Sequence, residues 1–363
     1  MITKINVGPV HPSTSGLIRF VVYLEGDTIE NLEVHIGFLH RGVEKLVENR
    51  MYMQSPPYME KIDYVAPMAV DDAYVAAVEA ALGIEVKERA KYIRLILLEL
   101  QRIASHLLWL GTLCNDLGQF FTMFMWTFRD RDLVLRLLEE ATGSRMFYVN
   151  MRLGGLNRDF PPGFEERANK VLGYLEKKIK EYMSILDRSS IFKERMKGVG
   201  ILGREEAIEL GVSGPVLRGS GVRFDVRSSL PYYAYKEVGF TPKVEYKGDN
   251  YSRYKVRMLE MLESIRIIRK AFSMMPEGDA LGMPVKLITP NAKNKEVKVS
   301  RETPRGECMM YMIADQQRPY RLYMRNASYA NLHAIEKIAK GHRFADLFAI
   351  LGSLDPVVAD VDK

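Results

Sequence analysis

The sequence of 363 residues is short of cysteine, with only Cys114 and Cys308. Two cysteines form neither a disulfide framework nor a cysteine zinc site, and their scarcity fits a reducing cytoplasm best. No basic, apolar and small-residue signal opens the chain, so we expect no secretory leader. Charged residues interrupt the apolar runs within about a dozen positions, which makes them too short for a helix to cross a bilayer.

The sequence also lacks a strong excess of one charge. Lysine and arginine together number 52, aspartate and glutamate 46, and the net charge is +6. Because the two signs are interspersed, the pattern argues against a nucleic-acid-binding surface and is compatible with a position near anionic lipid heads. Abundant lysine and glutamate indicate a thermophilic source. The hydrophobic content of 47% is enough for a large core.

The first half of the chain changes its apolar period once. Residues 17–36 alternate apolar and polar side chains on either side of Gly26-Asp27, which predicts a β-hairpin. From about 42 to 142 apolar residues recur every three or four positions, which predicts a helical bundle. Further helical periods cover 164–187 and 249–275.

The rest of the chain is predicted to be less regular. Residues 213–233 are rich in glycine and arginine and are expected to form a loop. Short strands are expected around 283–313 and 320–325, followed by helices near 328–340 and 343–353. The fold class is therefore mainly α with small β elements, an α+β fold.

No internal repeat or low-complexity linker divides the chain. We therefore predict one domain over residues 1–363. Within it we expect an N-terminal β-sheet over 1–38, a helical bundle over 39–280, and a mixed C-terminal segment over 281–363 that completes the site.

Two segments carry the most specific signal, residues 54–66 and residues 353–363. Both resemble the metal-binding motifs of nickel-iron hydrogenase large subunits, where each segment carries a Cys-x-x-Cys pair. The four cysteine positions are occupied here by Asp63, Ala66, Val357 and Asp360. Thiolates are the soft ligands that hold nickel and iron, and two carboxylates with two apolar side chains do not replace them. The chain is therefore expected to bind no metal.

Further stretches narrow the resemblance to one branch. They are GPVHPSTSG at 8–16, HIGFLHRGVEK at 35–45, ELQRIASHL at 99–107, GPVLRGSGV at 214–222 and TPRGE at 303–307. In this order and spacing the chain resembles the large, quinone-site subunit of respiratory complex I, a relative of the hydrogenase large subunit. The resemblance implies a hydrogenase-large-subunit-like helical bundle with an N-terminal β-hairpin or sheet.

The same resemblance implies a site. The two segments are expected to lie side by side, so that Asp63, Tyr64, Ala66, Val357 and Asp360 surround one cavity roofed by the hairpin loop. In complex I a histidine of that loop and a tyrosine of the first segment bind the quinone head group. The tyrosine matches Tyr64, whereas the histidine position holds Ser15, whose hydroxyl is a poor proton donor.

The serine leaves two acceptors open. The chain is also similar to the archaeal sulfane reductase complexes, whose substrate is polysulfide, and we favour this branch over a quinone. An anionic sulfur chain needs apolar walls and a few polar or cationic groups, for which His11, Arg41, Tyr64 and Arg218 are the candidates. His11, four residues before Ser15, is alternatively a structural hydrogen-bonding residue.

Two residues match positions near the [4Fe-4S] cluster of a neighbouring small subunit. The resemblance places Arg41 there as a fixed cation and His106 as a hydrogen-bonding group. Arg41 is alternatively a salt-bridge partner of Glu44 or Glu48, and His106 a buried core residue.

Asp63 and Asp360 form a carboxylate pair if they share the cavity. Burial and mutual repulsion would then raise one pKa toward neutrality and allow the pair to relay protons. Alternatively, each pairs with an arginine, such as Arg218 or Arg223.

Taken with its resemblance, the chain is predicted to be an oxidoreductase subunit that binds no cofactor and shapes a catalytic chamber. Electrons from ferredoxin or NAD(P)H would arrive through the neighbour's [4Fe-4S] cluster, reduce polysulfide and drive ion pumping. The alternatives are a quinone-site subunit and a non-catalytic scaffold. The implied partners are the iron–sulfur small subunit, other hydrophilic-arm subunits and a membrane-arm subunit at the N-terminal loop, on the cytoplasmic face of the membrane.

Overall fold

The computed structural model describes residues 1–14, 16–118, 121–284 and 294–363. Ser15 and the part of the expected strand region from 285 to 293 lie outside these residues. Within the described ranges, no helix combines the length and the apolar character that crossing a membrane requires.

The fold is mainly helical with small antiparallel sheets, which confirms the predicted α+β class. The strands are β1 (Ile2–Val7), β2 (Arg19–Glu25), β3 (Thr28–His35), β4 (Met151–Arg152), β5 (Gly155–Leu156), β6 (Lys295–Thr303), β7 (Gly306–Ala314) and β8 (Pro319–Arg325). The helices are α1 (Val43–Glu48), α2 (Pro56–Met59), α3 (Pro67–Leu82), α4 (Glu88–Asp116), α5 (Phe121–Thr142), α6 (Phe164–Arg188), α7 (Ser190–Met196), α8 (Arg204–Glu209), α9 (Gly214–Gly219), α10 (Val226–Ser229), α11 (Tyr235–Val238), α12 (Asn250–Met274), α13 (Ala327–His333), α14 (Ile335–Ile338), α15 (Asp346–Leu354) and α16 (Val358–Val361). Short 3-10 turns lie at Pro12–Thr14 and Tyr52–Gln54.

The N-terminal sheet packs against the C-terminal part of the chain. Strands β1, β2 and β3 pair antiparallel in that order, and the predicted hairpin turns at Gly26, whose φ of 63° suits glycine. Phe20 on β2 belongs to the same hydrophobic cluster as Leu347 and Ile350 on α15. This packing brings the loop between β1 and β2 close to the C-terminal segment.

The helical bundle is built around α4. This helix packs against α5, α12 and α15. At Gly111 on α4, an added Cβ would lie 2.5 Å from the Thr127 hydroxyl on α5, so glycine permits the close approach of the two helices. Helix α3 starts at Pro67 and ends at Leu82, where Gly83 caps it in the left-handed conformation, and it packs against β6 and β7.

The helices predicted over 164–187 and 249–275 are confirmed as α6 and α12. Asp249 caps α12, because its carboxylate accepts the Ser252 N–H at 2.8 Å. The loop predicted over 213–233 needs correction, since it contains the short helices α9 and α10. Pro215 in the first turn of α9 and the Asp225 cap of α10 favour these turns locally.

The C-terminal segment contains a meander of β6, β7 and β8. The strand predicted over 320–325 is confirmed by β8. The helix expected near 328–340 is divided at Ala334 into α13 and α14, and the helix expected near 343–353 is α15. The short α16 follows and carries Asp360.

Candidate functional site

The structure brings residues 54–66 and 353–363 together, as the resemblance implies. The Arg41 guanidinium donates to the Lys61 carbonyl at 3.2 Å and to the Ala359 carbonyl at 3.1 Å, and so links both segments. Val65 and Val357 pack in one small apolar cluster. The loop between β1 and β2, which is the loop that the resemblance places over the cavity, reaches the same place. A Cβ on Gly16 in this loop would lie 2.4 Å from a Val358 methyl group.

A cavity of about 670 Å³ lies at this junction. Its walls come from the N-terminal loop, the start of α3, one face of α4, α5, the loop before β4 and the chain around α15. Apolar and aromatic groups include Leu108, Trp109, Tyr148 and Val357, and the polar ones include Tyr64, Asp116, Arg131, Arg145, Arg305 and Asp355. A largely apolar chamber with a few polar groups is typical of a small-molecule site.

Tyr64 lies in the cavity wall and is 37% exposed. Burial raises the pKa of its hydroxyl above the usual value, against a lowering by the Arg305 guanidinium. The hydroxyl is therefore protonated at neutral pH and is able to donate a hydrogen bond to a ligand in the cavity.

Asp63 lies outside the cavity lining and binds Arg305. One carboxylate oxygen accepts Arg305 Nη1–H at 2.7 Å, and the other accepts the Val65 and Ala66 N–H groups at 3.1 and 3.0 Å. These bonds fix the turn that presents Tyr64. The alternative that Asp63 pairs with an arginine is confirmed, but the partner is Arg305 and not Arg218 or Arg223.

Arg305 is the buried cation of the cavity. Its Nη2 lies 3.7 Å from Asp355, a residue held in the left-handed conformation with φ 57°. Among the described residues, Nε and Nη2 of Arg305 and Oδ2 of Asp355 have no hydrogen-bond partner. Burial raises the pKa of Asp355 and the Arg305 charge opposes that rise. This pair has hydrogen-bonding capacity that a polar ligand or water can use.

Asp360 is buried near Asp63 and accepts a hydrogen bond from the Asn326 side-chain amide. Burial first, and then the Asp63 charge, raise the pKa of Asp360 to about 6. The direction agrees with the expected raised pKa of one carboxyl of this pair. Neither carboxyl lines the cavity, so their proton relay stays a prediction.

Val357 lines the cavity, whereas Ala66 is buried at the start of α3, outside the lining. These two apolar positions and the engaged carboxylate of Asp63 do not fit a nickel-iron centre. Among the described residues, no cluster of three or more His, Cys, Asp or Glu side chains is arranged to hold a metal.

Arg218 requires a correction, because it is not at the cavity. It is wholly buried, and its guanidinium binds Glu260 at 2.7 Å, Glu302 at 2.8 Å and the Phe224 carbonyl at 2.9 Å. A guanidinium engaged in this way neutralises buried carboxylates and offers no contact to a substrate in the cavity.

Arg41 binds carbonyl groups and not the acids that we considered as partners. Glu44 and Glu48 pair instead with Arg321, at 3.3 and 2.9 Å. Arg41 is exposed beside Tyr64. Its position near a neighbour's cluster stays a prediction.

His106 is wholly buried on α4, and its Nε2 lies 3.0 Å from a Glu260 carboxylate oxygen. Burial lowers the pKa of His106 to about 4, although Glu260 opposes the shift. A neutral imidazole beside an ionised carboxylate must carry its proton on Nε2, which then donates to Glu260. The role near a neighbour's cluster stays a prediction.

His11 is held against the wall of the fold. Its ring stacks on Phe348 with centroids 5.1 Å apart, and its Nδ1 accepts the Ser13 N–H at 3.2 Å. The adjacent Pro12 lines the cavity, but His11 does not. This geometry favours the structural alternative for His11, and Ser15 lies outside the described residues.

Asp116 is a site residue that sequence reasoning missed. It ends α4, lines the cavity and interacts with the Ser13 side chain, and burial raises its pKa to about 7. An acid at the C-terminal end of a helix is disfavoured by the helix dipole. That unfavourable position was the available signal.

The fold and the cavity define a class of proteins that are similar to the hydrogenase large subunit. In this class, the two segments that carry the metal-binding cysteines of hydrogenases enclose a chamber without cysteine ligands. The family model for the respiratory-chain NADH dehydrogenase 49 kDa subunit matches residues 116–298 and 286–363. The chain belongs to that family.

Several relatives can be aligned with this chain over nearly its whole length. The chain is 40% identical over 386 residues to an NADH-quinone oxidoreductase subunit of Citrifermentans bemidjiense, covering 100% of this chain and 99% of the relative. It is 43% identical over 360 residues to the protein of the same name from Dehalococcoides mccartyi, covering 99% and 98%. For Desulforamulus reducens the identity is 42% over 359 residues, covering 99% and 97%. None of these names refers to a sulfane reductase.

Proposed function

We propose that this chain forms the acceptor chamber of a membrane-associated NADH or ferredoxin oxidoreductase and that the acceptor is a quinone. The observation that carries the proposal is the cavity at the junction of the two segments, with a protonated Tyr64 hydroxyl, the Arg305 cation and the titratable Asp116 in its wall. The names of the relatives support the choice of quinone over polysulfide.

The electrons come from outside this chain in our proposal. A [4Fe-4S] cluster of a neighbouring iron–sulfur subunit supplies them one at a time. This chain binds the acceptor, excludes water with Leu108, Trp109 and Val357, and provides protons. Other hydrophilic-arm subunits and a membrane-arm subunit at the N-terminal loop complete the complex. This chain lies at the cytoplasmic face of the membrane, and the membrane subunits pump ions across it.

The residues in the cavity wall account for the delivery of protons to the acceptor. A quinone that gains two electrons must gain two protons, one on each carbonyl oxygen. Tyr64 is suited to donate a hydrogen bond to a carbonyl oxygen, and the Arg305 charge is suited to stabilise negative charge that develops there. Asp116, with a pKa of about 7, is suited to deliver a proton and take up another.

Polysulfide is the second acceptor to test. The observation that favours it is Ser15 at the position of the quinone-binding histidine. Arg305 would attract an anionic sulfur chain as readily as it polarises a quinone carbonyl. A scaffold without a catalytic role is the third candidate.

An acceptor assay on the purified complex tests the proposal. Reduced ferredoxin and NADH are supplied in turn, and the loss of a soluble quinone is compared with the formation of sulfide from polysulfide. We expect fast quinone reduction with little sulfide. Fast sulfide formation without quinone reduction would replace the quinone with polysulfide.

The variant Tyr64→Phe separates a chamber from a scaffold. We expect intact assembly with turnover reduced by about a hundredfold, because the variant loses the hydroxyl that contacts the reacting acceptor. The control Tyr246→Phe removes an exposed hydroxyl outside the cavity and should leave turnover unchanged. Normal turnover in Tyr64→Phe would support the scaffold.

A further inference from the structure

Behind one wall of the cavity, buried polar side chains have unused hydrogen-bonding capacity. Glu60 and Asp71 are wholly buried, and Asn150 is 1% exposed. Among the described residues, Oε2 of Glu60, both carboxylate oxygens of Asp71 and both polar atoms of the Asn150 side chain have no hydrogen-bond partner. Buried polar groups in folded proteins are normally satisfied, so this group needs an explanation.

Three parts of the fold bring these groups together. Glu60 accepts the N–H groups of Tyr148 and Val149 through its Oε1, at 2.8 and 2.6 Å, and Asn150 comes next along the chain. Asp71 lies on α3 close enough to Glu60 for their charges to interact. The chain leaving α2, the helix α3 and the loop before β4 therefore meet at one group of buried polar side chains, which we call the polar pocket.

In the part of the chain that the structure describes, the cations nearest to the two carboxyls form no ion pair with either of them. Asp71 experiences the charges of Asp72, Arg94 and Arg152, and Glu60 that of Lys61. The Arg94 guanidinium binds Glu79 at 2.7 Å, and Asp72 binds Arg301 at 3.1 Å.

Burial and mutual repulsion favour the protonated form of the pair. Burial raises the pKa of Glu60 to about 7. Burial, followed by the Glu60 charge, raises the pKa of Asp71 well above its usual range. Two carboxyls this close cannot both be ionised at neutral pH at low cost.

Tyr148 connects the pocket to the cavity. Its backbone N–H binds Glu60, and its side chain lines the cavity. The Gln101 side chain lies beside the Tyr148 hydroxyl, and its Oε1 accepts the Ala69 N–H at 3.1 Å, two residues before Asp71. Burial raises the pKa of Tyr148 to about 12, so the hydroxyl keeps its proton and is able to accept one proton while passing on another.

We propose that Glu60, Asp71 and Asn150 form a hydrated proton-storage site, and that Tyr148 links it to the acceptor in the cavity. The pair holds one proton at neutral pH. When the acceptor gains electrons, that proton leaves a carboxyl O–H bond for the cavity, one further carboxylate remains behind, and a proton from solvent restores the pair. The identity of the group that receives the proton rests on the proposed function, whereas the storage of the proton does not.

Infrared difference spectroscopy on the purified complex tests the storage site. Spectra of the reduced and oxidised complex are recorded in H2O and D2O. We expect the wild type to show a protonated-carboxyl band that changes on reduction and shifts in D2O. Asp116 contributes to such a band as well, so the double variant Glu60→Gln with Asp71→Asn should lose the part of the band that the variant Asp116→Asn retains. The matched control Asp72→Asn alters a neighbouring carboxylate that is paired with Arg301 and should retain it.

The pH dependence of turnover gives a second readout, which a merely structural role would not change. We expect the double variant to lose about tenfold in quinone reduction above pH 7, less than the about hundredfold loss typical of a group that protonates substrate itself. The loss should become smaller toward pH 6, where solvent protons are abundant. An unchanged carboxyl band, or a loss of turnover that is independent of pH, would overturn the proposal.

Two further outcomes are distinguishable. If the double variant does not assemble, Asp71→Asn alone replaces it, because an amide has the shape of a protonated carboxyl. Failure of that variant to assemble would show that Asp71 is an ionised structural group and would contradict storage. If the wild type reduces polysulfide and not quinone while the band behaves as expected, the storage site stands and the proposed acceptor fails.

Discussion

Two groups of buried charges in this protein differ in how completely they are paired. Around Arg218, the carboxylates of Glu260 and Glu302 are matched by guanidinium hydrogen bonds of 2.7 and 2.8 Å. At the cavity, Arg305 binds Asp63 at 2.7 Å but retains two unpartnered nitrogens among the described residues, and Asp355 retains an unpartnered oxygen.

The comparison separates two roles for buried charge. A fully paired cluster stabilises one arrangement of the chain, because removing any member leaves another charge buried alone. A partly paired cluster beside a cavity is able to bind something more. Arg218 therefore belongs to the architecture and Arg305 to the candidate site, although both stand in glycine-containing motifs.

Replacing Arg218 with methionine should produce the largest effect. The variant Arg218→Met leaves Glu260 and Glu302 without their guanidinium, and we expect a loss of about 3–5 kcal/mol of unfolding free energy. The melting temperature and the yield of assembled complex measure it. The control Arg223→Met, at an exposed position, should change neither. A stable Arg218→Met complex with weakened acceptor binding would instead restore Arg218 as a substrate-binding residue.

Replacing Asp116 with asparagine should have the next largest effect, on rate. Asp116 is protonated below a pH of about 7, so wild-type turnover should fall as the pH rises through 7 and the donor loses its proton. The variant Asp116→Asn has no proton to give. We expect about a hundredfold lower turnover below pH 7 and no step at that pH. A pH–rate profile with the wild-type step would show that another group donates.

These residues also show what could be predicted from the sequence. Apolar periods gave the hairpin, α6 and α12, because local burial patterns determine these elements. The resemblance gave the meeting of residues 54–66 and 353–363, which no periodicity contains. The short helices α9 and α10 depend on a few capping residues within a stretch rich in glycine, which a periodic pattern misses.

The pairing of buried charges was not predictable in the same way. Asp63 and Arg305 are 242 positions apart, and their contact depends on how α3 packs against the C-terminal sheet. The sequence contains several arginines with equal chemistry, so it does not distinguish Arg305 from Arg218 or Arg223 as the partner of Asp63. Asp116 was detectable as an acid at an unfavourable helix end. By contrast, only the folded structure shows that Glu60 and Asp71 lie close to each other.

Replacing Arg305 with lysine should have an intermediate effect. The variant Arg305→Lys retains a charge for Asp63 but loses the planar group whose Nη2 lies 3.7 Å from Asp355 in the cavity wall. We expect the KM for the acceptor to rise about tenfold, which corresponds to about 1.4 kcal/mol, with a melting temperature near that of the wild type. The control Arg301→Lys changes an arginine of β6 that binds Asp72 away from the cavity, and should leave KM unchanged. Equal KM values in both variants would remove Arg305 from the site.

The smallest effect is expected at Arg41. The variant Arg41→Met loses two hydrogen bonds to carbonyl groups at an exposed position, and we expect a loss of about 1 kcal/mol of unfolding free energy. A redox titration of the complex, followed by electron paramagnetic resonance, distinguishes this bond-making role from a role beside a neighbour's cluster. Loss of a nearby positive charge disfavours the reduced cluster, so its midpoint potential would fall. An unchanged potential with a slightly lower melting temperature would restrict Arg41 to joining the two segments.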